Sequence, residues 1–263
     1  MLAHQSTAGH WATTVAAVAL VLLYWWAWMR RPGRSVAPLV WWTLAMCALA
    51  GSTLRPLEEA AEGSFLAHMV QHLLLWVVVP PLLLAAHPVR LARRNGLHPL
   101  PRRAAATAAA HPGWRLAAAW LAIVVTMYGT HLTGVYDAAL QNQWVHEAEH
   151  VAYLAAAVLL WSSVLGSGRA VAPARAGLAA ATIAPLVVLG MVLISADTPL
   201  YPTYAEQMGT ASALADQRAG GSLMWLGSMF AMVPLIVLSV WRWAQREHDM
   251  QVRLEALADD TAT

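Results

Sequence analysis

Residues 66–87 read LAHMVQHLLLWVVVPPLLLAAH, a stretch without one Asp, Glu, Lys or Arg. About 20 helical residues cross the roughly 30 Å of hydrocarbon in a bilayer, so this stretch has the length and polarity of a transmembrane helix. It does not alternate apolar and polar residues as a barrel strand would, and a helix satisfies its own backbone where water is absent. Comparable runs lie at residues 11–29, 36–54, 114–134, 143–166, 178–196 and 221–243. The expected fold is all-α: a polytopic transmembrane helix bundle of about seven spans over residues 1–243, with a polar cytoplasmic tail at 244–263.

Composition points the same way. Of 263 residues, 59% are hydrophobic and only 11% charged, and mean hydropathy is +0.51, too few charges to cover a soluble surface. The net charge of +2 does not indicate a nucleic-acid partner, because the basic residues sit in short clusters beside apolar runs and form no continuous patch. All of them are arginine. Cys47 stands alone, which excludes an internal disulfide and any Cys-x-x-Cys site, so soft-metal chemistry would fall to histidine or methionine.

The loops set an orientation. Arg30, Arg31 and Arg34 follow the first run, Arg90 to Arg103 the third, Arg169 and Arg175 the fifth, and Arg242, Arg246 and Arg253 the seventh. The alternate loops hold only Arg55 and Arg218 among several acids. The positive-inside bias then places the N-terminus outside and the C-terminus inside. Trp11 and Trp144 at outer ends, and Trp25, Trp26, Trp41, Trp114, Trp241 and Trp243 at inner ends, fit interfacial anchors. Residues 1–10 lack a basic start, so the first run reads as a retained span. Pro80, Pro81, Pro185 and Pro234 are expected to kink or unwind their helices.

On this topology five histidines share one depth. His68 and His72 open the third span, His131 closes the fourth, and His146 and His150 open the fifth. A spacing of four puts both imidazoles of a pair on one helix face, which suits two ligands of one metal ion. His68, His72, His146 and His150 are the expected ligands, with His131 and Met127 as an accessory or entry site. Asp137, Glu149, Asp197 and Asp216 are candidates for orienting the imidazoles. Thioether beside imidazole suits copper, Cu(I) or Cu(II), and zinc competes because imidazole suits it too. Met69 and Met224 also lie near outer ends. His87, His98, His111 and His248 fall on the inner side, too far in depth to join.

Two other readings stand beside this one. His146-Glu147-Ala148-Glu149-His150 matches H-E-x-x-H, the pattern of an intramembrane zinc metalloprotease in which the glutamate activates water. Such a short pattern arises by chance, and no third ligand or further protease motif accompanies it. A haem-binding membrane protein would use one histidine from each of two facing helices; tight pairs at one depth fit a small ion better.

Three stretches carry a family resemblance. SFLAHMVQHLLLWVVVPPLLLAAHPVRL, from Ser64 to Leu91, resembles the H-M-x-Q-H-x-L and P-P-L-L-L signature of the CtaG family of cytochrome c oxidase assembly factors. HLTGVYDAALQNQWVHEAEHVAYLAAAVLLWSSVLG, from His131 to Gly166, is similar to that family's loop and W-x-H-x-x-x-H span. DQRAGGSLMW, from Asp216 to Trp225, resembles its entry to the last span. The resemblance covers about residues 60–245 and carries His68, His72, His131, His146, His150, Asp216, Gln217, Gly220, Gly221 and Met224. Glu147 is not part of the family pattern. The resemblance implies a multi-pass protein of the cell inner membrane, not an enzyme, that assists assembly of haem-copper oxidases by delivering copper at the periplasmic face. The implied partners are cytochrome c oxidase subunits, a periplasmic copper donor and membrane lipid.

Overall fold

The third apolar run is one long rod broken in the middle. In the computed structural model, which describes residues 7–31, 33–96, 112–165 and 172–262, this run comprises α4 (Phe65–Leu73), a π-helical turn (Leu74–Val78), α5 (Val79–Ala86) and α6 (Pro88–Arg94). Before it come α1 (Thr7–Met29), α2 (Ala37–Thr53) and the short α3 (Arg55–Gly63), which bends 41° away from α2. After it come α7 (Pro112–His131), α8 (Val135–Gln141), α9 (Gln143–Val164), α10 (Ala172–Ser195), α11 (Pro202–Met208) and α12 (Thr210–Ala262). Among the described residues there is no strand. His4, His98, His111, Arg102, Arg103, Arg169 and the middle of the arginine-rich loop lie outside the described residues.

By length and apolarity, three helices can cross a membrane: Phe65–Arg94, Pro173–Ser195 and Thr210–Glu255. The count rises to five if α2 with α3, and α7 with α8, each form one bent span. α9 falls short of the expected seven because its first turns carry His146, Glu147, Glu149 and His150. The last helix starts at Thr210, ahead of the expected 221, and runs without a break to Ala262, so the polar tail continues the helix.

The prolines explain how the bundle is tied. Pro80 has no N–H, so the carbonyl four residues earlier, on Trp76, loses its helical partner. The helix widens into the π turn at that point, and Trp161 of α9 donates its Nε1–H to the Trp76 carbonyl at 2.7 Å. Pro185 frees the Ala181 carbonyl of α10 in the same way, and Trp120 of α7 donates to it at 3.0 Å. An unpaired buried carbonyl costs about 1–3 kcal/mol. Trp161→Phe keeps an aromatic ring but removes the donor and part of the bulk, so it should lower stability by at least about that amount. Thermal unfolding in detergent reads the loss; an unchanged midpoint would mean that the Trp76 carbonyl needs no indole.

α10 packs most closely on α12. A methyl group added at Gly190 would lie 3.0 Å from Cβ of Trp225, and one at Gly221 would lie 2.9 Å from Cβ of Leu193, so both contacts require glycine. Gly220 gives Phe65 its place against α12 in the same manner. On the other flank, Tyr24 of α1 stacks on Trp42 of α2 at 4.4 Å and donates to the Ala86 carbonyl at 2.7 Å. At one end of the bundle, Arg31 donates to the Arg94 carbonyl and Arg115 to Ser162 Oγ, which brings the close of α1, α6 and α9 and the start of α7 to the same level. The histidines occupy the opposite end.

Candidate metal centre

Two local caps aim the histidine pairs. Ser64 Oγ accepts from the Ala67 N–H at the start of α4 and donates to Asp216 Oδ1 at 2.8 Å. The other Asp216 oxygen accepts from the N–H of Phe65 at 2.6 Å and of Leu66 at 3.4 Å. A carboxylate at a helix N-terminus answers both its free donors and its dipole. Asp216, expected to orient an imidazole, therefore fixes the helix that carries His68 and His72. Gln217, next to it, accepts from the Leu200 N–H and donates to the Leu193 carbonyl. Asn142 caps α9 through Trp144 N, one turn before His146.

Between these caps the imidazoles meet. The Nε2 atoms of His68 and His72 lie 3.0 Å apart. One ligand nitrogen from each of His68, His72 and His150 lies within 4.8 Å of the others, and all three residues are buried. Glu149 faces the same space, with Oε1 3.8 Å from His72 Nε2 and Oε2 4.0 Å from His68 Nε2. Its side chain is 1% exposed, and apart from the nearby Thr130 hydroxyl neither oxygen has a hydrogen-bond partner. His150 Nε2 and the Nδ1 atoms of His68 and His72 are unpaired as well. Buried polar groups are nearly always satisfied, and a buried carboxylate without a partner is costly. Three imidazoles and one carboxylate around one point are a donor set for a divalent transition-metal ion.

His146 stands at the margin of this group. Its ring centroid is 4.1 Å from that of His150 and 5.2 Å from that of His68, but its Nδ1 pairs with Glu58 Oε1 at 3.2 Å. Glu58 also accepts from Gln71 Nε2 at 2.7 Å, and Gln71 donates to the Ser52 carbonyl. The bend between α2 and α3 folds Glu58 over the pocket, which is why His146 borders the three-nitrogen group without entering it. Glu58, Gln71 and Tyr153, which stacks on His72 at 4.1 Å, were not among the expected site residues. Gln71 carried a signal, a polar residue between two histidines inside an apolar run; Glu58 carried none.

His131 is buried 6.0 Å from His72, centroid to centroid. Its Nδ1 lies 2.9 Å from the Met127 carbonyl and its Nε2 3.5 Å from Met69 Sδ. Asp197 is exposed on the connection between α10 and α11, and Asp137, on α8, keeps Oδ1 buried without a hydrogen-bond partner. Neither takes the imidazole-orienting place expected of it in the contacts described above.

Residues 19–246 match the family described as cytochrome c oxidase caa3 assembly factor (Caa3_CtaG). The chain belongs to this family. The matched region takes in all five clustered histidines, both caps and Glu149. An uncharacterized protein of Mycobacterium leprae is 26% identical over 256 residues, 89% of this chain and 38% of that protein. Uncharacterized proteins of Mycobacterium bovis and Mycobacterium tuberculosis are each 25% identical over 254 residues, 88% of this chain. The chain thus spans 38% of the length of these curated relatives. No solved structure matches it.

Proposed function

We propose that this member of the assembly-factor family holds copper in the pocket of His68, His72, His150 and Glu149 and assists its insertion into the haem-copper oxidase. Copper is cargo here, bound and handed on, and the protein is not a catalyst. The observation that carries the reading is the convergence of a buried carboxylate with three imidazole nitrogens at one end of the bundle. Zinc suits the same donors; a family that assembles a copper-containing oxidase favours copper. In this reading the chain crosses the cell inner membrane seven times, N-terminus outside and C-terminus inside, and the pocket opens to the periplasm. The arginines gathered at the far end of the bundle support that orientation. Its partners are oxidase subunits, a periplasmic copper donor and lipid.

The protease reading is less favoured, since His146 Nδ1 is taken by Glu58 and the three-nitrogen group forms from His68, His72 and His150. A porphyrin is far larger than the cavity beside the pocket, which has room for one water-sized occupant.

Cells lacking the protein should make oxidase apoprotein short of copper, restored by the wild-type chain and equally by Glu147→Gln. Copper-replete oxidase in the deletion strain would overturn the reading, and failure of Glu147→Gln alone would favour the protease. Glu149→Gln should weaken Cu(II) binding by about 10–100-fold while leaving the fold intact, because it removes the one anionic donor. Competition with a chromophoric chelator measures it; unchanged affinity would remove Glu149 from the site.

A further inference from the structure

A second cluster of donors lies one step deeper. Met69 of α4, Met127 of α7 and Met224 of α12 converge from three helices on one small cavity, together with His131 and the inner side of His72. The three methionines and His131 are at most 3% exposed. Methionine in a core is ordinarily packing. The orientation of His131 separates this case from packing. Its Nδ1 lies 2.9 Å from the Met127 carbonyl, which can only accept, and 3.1 Å from each of the Thr130 and Tyr153 hydroxyls, which can do either; the carbonyl contact favours the proton on Nδ1. The hydroxyls are compatible with this assignment: Tyr153 and Thr130 lie 2.9 Å apart, with either able to donate, and Thr130 donates to the Thr126 carbonyl at 3.0 Å. In the neutral ring the Nε2 lone pair is then free, and it points at Met69 Sδ from 3.5 Å. In that tautomer the two lone pairs face each other beside a cavity lined by two further thioethers.

We infer that His131, Met69, Met127 and Met224 form a second metal site, selective for a soft monovalent ion, Cu(I), and separate from the imidazole–carboxylate pocket. Thioethers select Cu(I), whereas a carboxylate favours divalent ions. No anionic side chain lines the cavity, so a monovalent ion is also the one it can hold with least uncompensated charge. The backbone-held Nδ1–H fixes the imidazole in the tautomer that a metal needs. The two sites adjoin at His72, which lines the cavity and belongs to the outer group. The inference deepens the copper reading above and rests on it for the identity of the ion.

The test uses the full-length protein in detergent, titrated without oxygen with Cu(I) against a chelator and separately with Cu(II). Met69→Leu, Met127→Leu and Met224→Leu conserve volume. Together they should remove one equivalent of Cu(I) and the sulfur back-scattering from the Cu(I) X-ray absorption spectrum, and leave Cu(II) binding at the wild-type value. The single variants, each expected to weaken Cu(I) binding at least about tenfold, serve if the triple variant does not fold. Unchanged Cu(I) stoichiometry with no sulfur signal in the wild type overturns the inference while leaving the outer pocket standing. A sulfur-ligated Cu(I) with no Cu(II) binding supports the inference and sinks the outer copper pocket. Absence of both ions sinks both.

Discussion

Purified protein carrying His72→Ala and His150→Ala should bind Cu(II) at least about 100-fold more weakly than the wild type, a loss beyond that of removing a single supporting residue. Two of the four donors that face the common point disappear, and they come from different helices, so the remaining His68 and Glu149 cannot close around an ion. The same change should not unfold the protein. Truncating two buried imidazoles leaves a cavity, a cost tempered because each carries a ring nitrogen that has no partner to lose. His72 also gives up its stacking on Tyr153, worth about 0.5–1.5 kcal/mol, and the 3.0 Å contact of its Nε2 with His68 Nε2. Affinity falling while the metal-free protein keeps a cooperative unfolding transition is the signature of a binding site. A parallel collapse of both would mean that the histidines serve packing.

Asp216→Ala should lower stability by about 2–3 kcal/mol and weaken copper binding by about 10–100-fold, although Asp216 touches no imidazole. The carboxylate receives Ser64 Oγ and the N–H groups of Phe65 and Leu66, so its loss leaves two donors of the first turn of α4 without their acceptor and removes the hydrogen-bonded tie to α12. His68 sits in the next turn. Phe65, wedged against Gly220 and stacked on Tyr201 at 4.9 Å, transmits any shift to the pocket wall. Asp216→Asn keeps one acceptor and should recover part of both losses. Thermal unfolding and chelator competition read the two effects; a variant with wild-type affinity would show that α4 holds its place without this tie.

What hydropathy exposes in this chain is where apolar helix exists. Residues 66–87 announce themselves by length, and the helix found there is the same rod, with Pro80 marking where it widens. Hydropathy does not register a polar helix continuing past an apolar one, so the run of α12 from Thr210 to Ala262 was not legible. The clustering of the five imidazoles was legible because it needs only depth and helix spacing. The partition among them was not. His146 is drawn aside by Glu58, which reaches it through the 41° bend between α2 and α3, and no spacing encodes a bend. Asp216 stood out within its motif, but its partners lie about 150 residues earlier in the chain, so its role as a cap depends on how α12 packs on α4.

The most direct measurement is the X-ray absorption spectrum of Cu(II) bound to the full-length protein. Nitrogen and oxygen neighbours with the multiple-scattering pattern of three imidazoles are expected, lost in the His72→Ala, His150→Ala protein. A bound ion whose spectrum shows no imidazole, or the same spectrum in wild type and variant, would contradict the three-imidazole site.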